Sequence, residues 1–223
     1  EYSGKIDSER DLRIGIVGRV KAGKSSFLNA LFFDGKDILP KAATPMTAAL
    51  TVLSYGERLE AIVEFFSDRD VADIRDKAGV YKKQFDASLN REVEQQKENL
   101  IRNKRKNLGK DGDKAEIVLS ADEMKTIREN AERRIQQHMQ ANVELSGAYD
   151  QYCKIEESGI AVSSLGTSKV LASVSLDKLA EELAEYVGSE GRYMPFTKSV
   201  EVRFPEERLK GITIVDTPGF NDP

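Results

Sequence analysis

The feature that most limits how this chain can fold is a run with the spacing G-x-x-x-x-G-K-S at residues 18–25. It follows an apolar segment, residues 12–17, with the composition of a buried strand. It leads into residues 25–33, where apolar side chains recur at helical spacing. Glycines let successive backbone N–H groups turn inward, and the helix N-terminus adds the positive end of its dipole. The run therefore predicts a strand–loop–helix unit that can surround a phosphate group.

The loop residues are expected to act through backbone amides and through two side chains. The Lys24 ammonium is expected to reach the β- and γ-phosphates of a nucleotide, and the Ser25 hydroxyl to ligate Mg²⁺. The competing interpretation is a glycine turn that binds nothing. The predicted nucleotide-binding residues of the loop are Gly18, Val20, Lys21, Ala22, Gly23, Lys24, Ser25 and Ser26.

A second candidate group follows residues 211–215, which have the composition of another buried strand. Asp216 stands at the tip of this strand, where an acid can hold Mg²⁺ through a water molecule. Gly219 leaves room for its backbone N–H to approach a γ-phosphate. The pattern D-x-x-G is by itself mostly a turn. Together with the phosphate loop, it favours a GTP-type switch protein.

A threonine is expected to complete the Mg²⁺ shell from the loop between these motifs. Two prolines, Pro40 and Pro45, interrupt regular structure in this loop. Thr44 and Thr47 both lie there, and the residues alone leave them equal candidates. A surface threonine with no role in binding is the alternative.

The organisation of the chain predicts an α/β fold, a GTPase-type phosphate-loop sheet flanked by helices, with a long helical insert. Residues 1–67 are expected to form the first part of the domain, residues 68–165 the insert, and residues 166–223 the continuation. Within the insert, the spacing predicts helices over about 80–108 and about 124–143, side by side as a hairpin. Ser120 and Glu123 form a capping box before the second helix. Because no base-reading N/T-K-x-D motif follows Gly219, the chain is expected to be a fragment with an incomplete sheet.

Composition limits the partners and the cellular location that are expected for this protein. The 223 residues carry a net charge of -4, which argues against a nucleic-acid partner. Cys153 is the only cysteine, so a reducing, cytoplasmic location is expected. No apolar run is long enough to span a bilayer, and a peripheral location at a membrane is the alternative. The basic residues 102–106 could contact anionic lipid, although such a run is more often a solvated helix face.

Three segments together resemble the dynamin superfamily, especially its bacterial dynamin-like members. They are G-R-V-K-A-G-K-S-S-F-L-N-A-L, I-L-P-K-A-A-T-P-M-T-A-A-L-T and I-V-D-T-P-G-F-N-D-P. The resemblance covers roughly residues 12–66 and 176–222. It implies a phosphate-loop GTPase domain that hydrolyses GTP in connection with self-assembly on membranes. It also implies that Thr47, rather than Thr44, takes the switch role.

Two departures from the family pattern bear on catalysis. Eukaryotic dynamins have a Gln-Ser pair where this chain has Val20 and Lys21, so we hypothesise that Lys21 brings positive charge to the transition state. Phe220 stands where Ras-type proteins keep a water-orienting Gln. The leading hypothesis is a Mg²⁺-dependent GTPase with Lys24, Thr47 and Lys21 as catalytic residues and Ser25, Thr47 and Asp216 as metal ligands. The alternatives are a nucleotide-gated assembly scaffold with negligible hydrolysis and an ATP-using phosphate-loop protein.

Overall fold

A six-stranded sheet organises the first of two compact units in the computed structural model, which describes residues 11–19, 22–39, 49–107, 116–188 and 190–216. The first unit comprises the chain up to Ile74 and from Asp150, and the second is Arg75–Tyr149. The strands are β1 (Leu12–Ile16), β2 (Leu50–Tyr55), β3 (Glu60–Phe65), β4 (Ser168–Ala172), β5 (Thr197–Phe204) and β6 (Ile212–Asp216). The helices are α1 (Lys24–Phe32), α2 (Asp68–Asn107), α3 (Ala121–Met139), α4 (Val143–Ser158) and α5 (Leu176–Val187).

The strands lie in the order β1-β6-β2-β5-β3-β4. β1 is parallel to β6 and β2 is parallel to β5, whereas the other neighbours are antiparallel. Within the described part of the chain, β1 and β4 each pair with a single strand, so the sheet is not closed. The predicted α/β class is confirmed, and its mixed sheet places the carboxyl ends of β1 and β6 at the same edge.

The hydrophobic core of this unit lies on one face of the sheet. Leu53 and Val202 are fully buried there, and α1 and α5 cover them with Leu28 and Leu179. Burying one such side chain stabilises a fold by about 1.5–3 kcal/mol. The core therefore fixes α1 against the sheet, and α1 begins at the predicted phosphate loop.

The opposite face of the sheet carries polar side chains that bond to one another. Because side chains alternate between the two faces along β5, Glu201 and Arg203 lie on this side. Glu201 accepts hydrogen bonds from the Ser54 hydroxyl and the Arg203 guanidinium, each at 2.7 Å. The hydrogen bond from Arg203 lowers the pKa of the Glu201 carboxyl below its ordinary value.

The second unit is built on two antiparallel helices. Lys104 near the end of α2 pairs with Glu123 at the start of α3, with Nζ and Oε1 2.6 Å apart. Arg134, later in α3, pairs with Glu92, earlier in α2, at 3.2 Å between Nη1 and Oε1. This crossed order defines a helical hairpin. The boundaries 68–165 for a helical insert stay a prediction.

Both helices of the hairpin differ in extent from the sequence prediction. α2 begins at Asp68 instead of near residue 80, because Ser67 caps it. The Asp70 carboxylate accepts a hydrogen bond from the Ser67 amide at 2.9 Å, and the Ser67 hydroxyl accepts one from the Asp70 amide at 3.2 Å. α3 ends at Met139 instead of near residue 143. The reason is that a new helix, α4, begins at Val143, where the Asn142 carboxamide caps it by accepting a hydrogen bond from the Leu145 amide at 3.2 Å. Polar capping residues, rather than the spacing of apolar residues, thus determine where these helices begin and end.

The predicted helix start at Ser120 is confirmed. The Ser120 hydroxyl accepts from the Glu123 amide, and the Glu123 carboxylate accepts from the Ser120 amide at 2.9 Å. Ser175 caps α5 in a similar way by accepting from the Lys178 amide, and Gly188 follows the last residue of α5. None of the described helices has the length and apolar character needed to cross a membrane.

The capping box predicts a measurable share of the stability of the hairpin. We expect Ser120→Ala to lower the free energy of unfolding by about 1 kcal/mol, because the Glu123 amide loses its acceptor. Urea denaturation followed by circular dichroism measures the change. Thr126→Ala is the matched control, since it removes an exposed hydroxyl that bonds only to a carbonyl of the same helix. Equal effects of the two substitutions would contradict a stabilising capping box.

Candidate functional site

The candidate site lies at the edge where β1 and β6 both end. The register pairs Ile16 of β1 with Asp216 of β6. The loop that continues from β1 therefore starts beside the carboxylate at the end of β6. Residues that are 191 positions apart in the sequence meet here because the two strands are parallel neighbours.

The backbone turns sharply before α1. Gly23 adopts a φ of 84°, a left-handed conformation that glycine tolerates at little cost. Its carbonyl accepts a hydrogen bond from the Phe27 amide at 2.8 Å, so the helical pattern starts at once. The first turn of α1 contains no acidic residue. The helix thus presents backbone donors and a positive dipole end, and none of the residues of its own first turn is acidic.

The Lys24 side chain folds back over this loop. Its ammonium donates to the carbonyl oxygens of Gly18 at 3.0 Å and Arg19 at 3.1 Å. The aliphatic part of Lys24 packs near the Cα of Gly18, where an added Cβ would lie 3.5 Å from Cδ of Lys24. This geometry places a positive charge directly beside the loop, where it can meet a phosphate.

The Ser25 hydroxyl joins the loop to the sheet by donating to Oδ2 of Asp216 at 2.7 Å. Asp216 is only 8% exposed, and its second oxygen, Oδ1, is buried with no hydrogen-bond partner. A buried carboxylate oxygen without a partner is costly unless it receives a donor or a cation. The arrangement of Ser25 and Asp216 therefore fits a hard cation that prefers oxygen ligands, such as Mg²⁺.

The described residues offer few side chains that could bind a metal ion directly. Within the described ranges, no group of three or more His, Cys, Asp or Glu side chains is placed to hold a metal ion. Mg²⁺ is usually bound through one or two protein oxygens together with water and substrate phosphates, so a site at Ser25 and Asp216 would not need such a cluster.

The structure brings together only some of the predicted site residues. Gly18, Ala22, Gly23, Lys24, Ser25 and Ser26 lie in or directly after the loop, and Asp216 lies beside it. The predicted residues Val20, Lys21, Thr44, Thr47 and Gly219 lie outside the described residues. The roles of all these residues in binding and catalysis stay predictions.

Sequence reasoning missed Asn29, a buried polar side chain on α1 that is 1% exposed. Its carboxamide forms two hydrogen bonds with the backbone of Leu39, which precedes both candidate threonines in the sequence. Asn29 Nδ2 donates to the Leu39 carbonyl at 3.0 Å, and the Leu39 amide donates to Asn29 Oδ1 at 2.9 Å. The sequence signal that could have revealed this contact is a polar Asn at a helix position where the predicted pattern places inward-facing, apolar residues.

Comparisons with known proteins agree with the predicted family. The dynamin family model matches residues 14–223. A bacterial dynamin-like protein of Nostoc punctiforme is 33% identical, over 43% of this chain and 16% of its own length. Dynamin-like protein 1 of Campylobacter jejuni is 44% identical, over 29% of this chain and 8% of its own length.

Solved structures give matches of the same kind. An oligomerised bacterial dynamin pair, described as a mechanism for long-range sensing and tethering of membranes, aligns with 95% of this chain and 23% of its own, at 20% identity and a TM-score of 0.43. A second structure of such a pair covers 96% of this chain and 23% of its own, at 20% identity and a TM-score of 0.38. This chain thus spans less than a quarter of the length of each protein compared here. Because the dynamin family model matches nearly the whole chain, from residue 14 to residue 223, the chain belongs to the dynamin family.

Proposed function

We propose that this chain forms the phosphate- and metal-binding part of a Mg²⁺-dependent GTPase. The observation that carries the proposal is the 2.7 Å hydrogen bond between the Ser25 hydroxyl and the Asp216 carboxylate, at the N-terminus of the helix that also bears Lys24. This contact joins the two motifs that a nucleotide-hydrolysing phosphate-loop protein requires. Membership of the dynamin family favours GTP as the substrate.

Catalysis in this proposal depends on positioned charge. Lys24 and the loop amides stabilise the negative charge that develops on the transferring phosphoryl group. Ser25 and Thr47 would hold Mg²⁺, and Asp216 would contact the ion through its water shell. The ion, when bound, neutralises charge on the β- and γ-phosphate oxygens. The partnerless Oδ1 of Asp216 supports this assignment, because a water molecule of the shell would supply its missing donor.

The proposed activation of water differs from that of Ras-type proteins. Phe220 follows the aspartate motif and has no group that can orient a water molecule. We infer that Lys21, within the phosphate loop, brings additional positive charge to the transition state. Self-association through this domain would then complete the arrangement for hydrolysis. Membership of the dynamin family also favours a role at a membrane surface and a cytoplasmic, peripheral location.

The main alternative is a nucleotide-gated assembly scaffold with negligible hydrolysis. The apolar Phe220 and the long charged helices α2 and α3 both allow this alternative. A scaffold would bind nucleotide and change its assembly state without appreciable turnover. A protein that uses ATP is a further alternative. The preference of the protein for GTP or ATP distinguishes it from the GTPase.

Nucleotide titration of the full-length protein tests the proposal first. We expect Mg²⁺-dependent binding of GTP in preference to ATP, and a loss of affinity of about 100-fold in Lys24→Ala. Removing a charge-assisted contact to phosphate costs about 3 kcal/mol, which corresponds to that factor. Isothermal titration calorimetry with each nucleotide, with and without Mg²⁺, measures the effect.

Lys36→Ala is the matched control for this titration. Lys36 is an exposed lysine that pairs with Asp177 at 2.8 Å and lies outside the phosphate loop. The control is expected to bind GTP as the unmodified protein does. Binding of neither nucleotide would reject the GTPase and scaffold proposals together, and a preference for ATP would favour the third alternative.

Turnover at increasing protein concentration separates the enzyme from the scaffold. We expect the rate of GTP hydrolysis per molecule to rise with protein concentration and to rise further on anionic vesicles, because association completes the site. The Lys21→Ala variant is expected to bind GTP but to turn it over at least about tenfold more slowly, as the loss of one stabilising charge implies. Phosphate release measures both effects. A rate that stays negligible at every concentration would favour the scaffold.

The buried carboxylate of Asp216 predicts a trade-off between stability and function. We expect Asp216→Asn to raise the free energy of unfolding of the nucleotide-free protein by about 1 kcal/mol, because it removes a buried charge with a partnerless oxygen. The same variant is expected to lose Mg²⁺-dependent GTP binding. Urea denaturation and GTP titration measure the two effects.

The control for Asp216→Asn is Asp177→Asn, which neutralises an exposed carboxylate. We expect it to change the free energy of unfolding by less than about 0.5 kcal/mol and to leave GTP binding unchanged. An Asp216→Asn variant that is less stable than the unmodified protein, or that keeps Mg²⁺-dependent binding, would contradict the metal assignment.

A further inference from the structure

The end of the helical hairpin at which α2 stops carries a concentration of positive charge. Residues 99–107 contain four Lys or Arg and no acidic residue. Three of the four, Arg102, Arg105 and Lys106, are exposed, and we call these three the basic patch. No hydrogen bond or ion pair with another described residue engages any of them. Their charges are therefore available to a partner.

The basic patch lies on the side of α2 that faces away from α3. The fourth basic residue, Lys104, is partly buried and pairs with Glu123 of α3, with Nζ and Oε1 2.6 Å apart. Successive residues are about 100° apart around a helix, so Arg102 and Lys106 lie about 160° from Lys104. Arg105 adjoins Lys106 on the same flank. The three residues span about 6 Å along the helix axis, so one surface can contact all of them.

An exposed apolar side chain lies at the same end of the hairpin. Val118 is 80% exposed, in the segment just before the Ser120 cap of α3. The Glu123 carboxylate accepts from both the Ser120 amide and the Lys104 ammonium, so this segment leads into α3 beside the last turns of α2. An apolar side chain near positive charges suits the surface of an anionic bilayer, where the charges meet lipid phosphates and the apolar group enters the acyl boundary.

Helix stability explains only part of this arrangement. Arg105 and Lys106 stand in the last turn of α2, where cations interact favourably with the negative end of the helix dipole. That effect falls off within the last turn, so it accounts neither for Arg102 nor for the exposed Val118. A nucleic-acid partner is disfavoured, because the chain has a net charge of -4 and a valine cannot stack on a base.

We propose that the basic patch and Val118 form a docking surface for an anionic lipid bilayer. This inference rests on the membrane role in the proposed function and assigns that role to one end of the helical hairpin. The negative potential of an anionic leaflet attracts basic residues within about 8 Å, the Debye length at physiological ionic strength. Binding through this surface therefore weakens as salt is added.

Cosedimentation of the full-length protein with vesicles tests this surface. The patch variant combines Arg102→Gln, Arg105→Gln and Lys106→Gln, because Gln removes the charge and retains a high helix propensity. On vesicles of phosphatidylserine and phosphatidylcholine in equal parts, we expect the partition coefficient to fall about 100-fold, since each basic residue contributes about a factor of five. On vesicles of phosphatidylcholine alone, the patch variant and the unmodified protein should bind equally.

A matched control removes the same amount of charge from the same helix. The control variant combines Lys82→Gln, Lys83→Gln and Arg91→Gln, at three exposed positions. Arg91 lies about 16 Å from Arg102 along the helix axis, which is beyond the Debye length. We expect the control variant to bind the anionic vesicles within about twofold of the unmodified protein on that basis. Circular dichroism checks that both variants are folded.

A fluorescent reporter at Val118 keeps the proposal testable if the patch variant does not fold. We expect Val118→Trp to add fluorescence that shifts to shorter wavelength on anionic vesicles and is quenched by bromine-labelled phosphatidylserine, because Trp favours the bilayer interface. Combining Val118→Trp with the patch variant should abolish the quenching.

Three results would overturn the docking surface. Equal losses of vesicle binding in the patch and control variants would indicate attraction by net charge alone. Unchanged vesicle binding in the patch variant, or a Val118→Trp reporter that is not quenched, would place the membrane contact elsewhere. Loss of binding to a nucleic-acid duplex in the patch variant, with vesicle binding retained, would assign the basic patch to nucleic acid.

GTP hydrolysis without vesicles separates this inference from the GTPase proposal. The patch variant should hydrolyse GTP in solution at the rate of the unmodified protein, because its substitutions lie outside the phosphate- and metal-binding residues. If the unmodified protein hydrolyses GTP but binds no anionic vesicle, the docking surface and the membrane role fail and the GTPase proposal stands. If it binds vesicles through the basic patch but hydrolyses no GTP, the docking surface stands and the GTPase proposal fails.

Discussion

The parallel pairing of β1 with β6 is the contact on which the candidate site depends. It places Ile16 opposite Asp216, so the loop that leaves one strand begins beside the acid that ends the other. Antiparallel pairing of the same strands would put the loop and the acid at opposite edges of the sheet. The hydrogen bond from Ser25 to Asp216 is a consequence of this register, and it ties the start of α1 to the sheet.

α1 connects the site with the core. Leu28 buries one side of the helix against the sheet, which holds the helix at a constant distance from the strands. The neighbouring Asn29 holds the returning chain at Leu39. A helix fixed in this way can act as a rigid support, since close-packed interiors resist small displacements. Side chains along α1, such as Ser25 and Asn29, therefore keep their spacing.

The helical unit Arg75–Tyr149 is stabilised by different interactions from those of the sheet. Its helices are long and strongly charged, and exposed ion pairs such as Arg134–Glu92 contribute little stability individually. Its order depends on a seam of small and apolar residues and on polar caps. The buried apolar residues of this unit are Ala78, Tyr81, Leu89, Ile127, Ala131, Met139 and Ala148. Local caps, rather than apolar periodicity alone, decide where these helices begin and end.

The sequence by itself determined the features that depend on neighbouring residues. These are the loop between β1 and α1, the strand that ends at Asp216, and the cap at Ser120, because each relies on contacts within a few positions. It did not reveal the contacts that depend on strand order, since an apolar strand pattern does not specify its partner. The tertiary structure decided that Ser25 meets Asp216 and that Asn29 holds Leu39, because only the packed sheet and helix bring those groups within hydrogen-bonding distance.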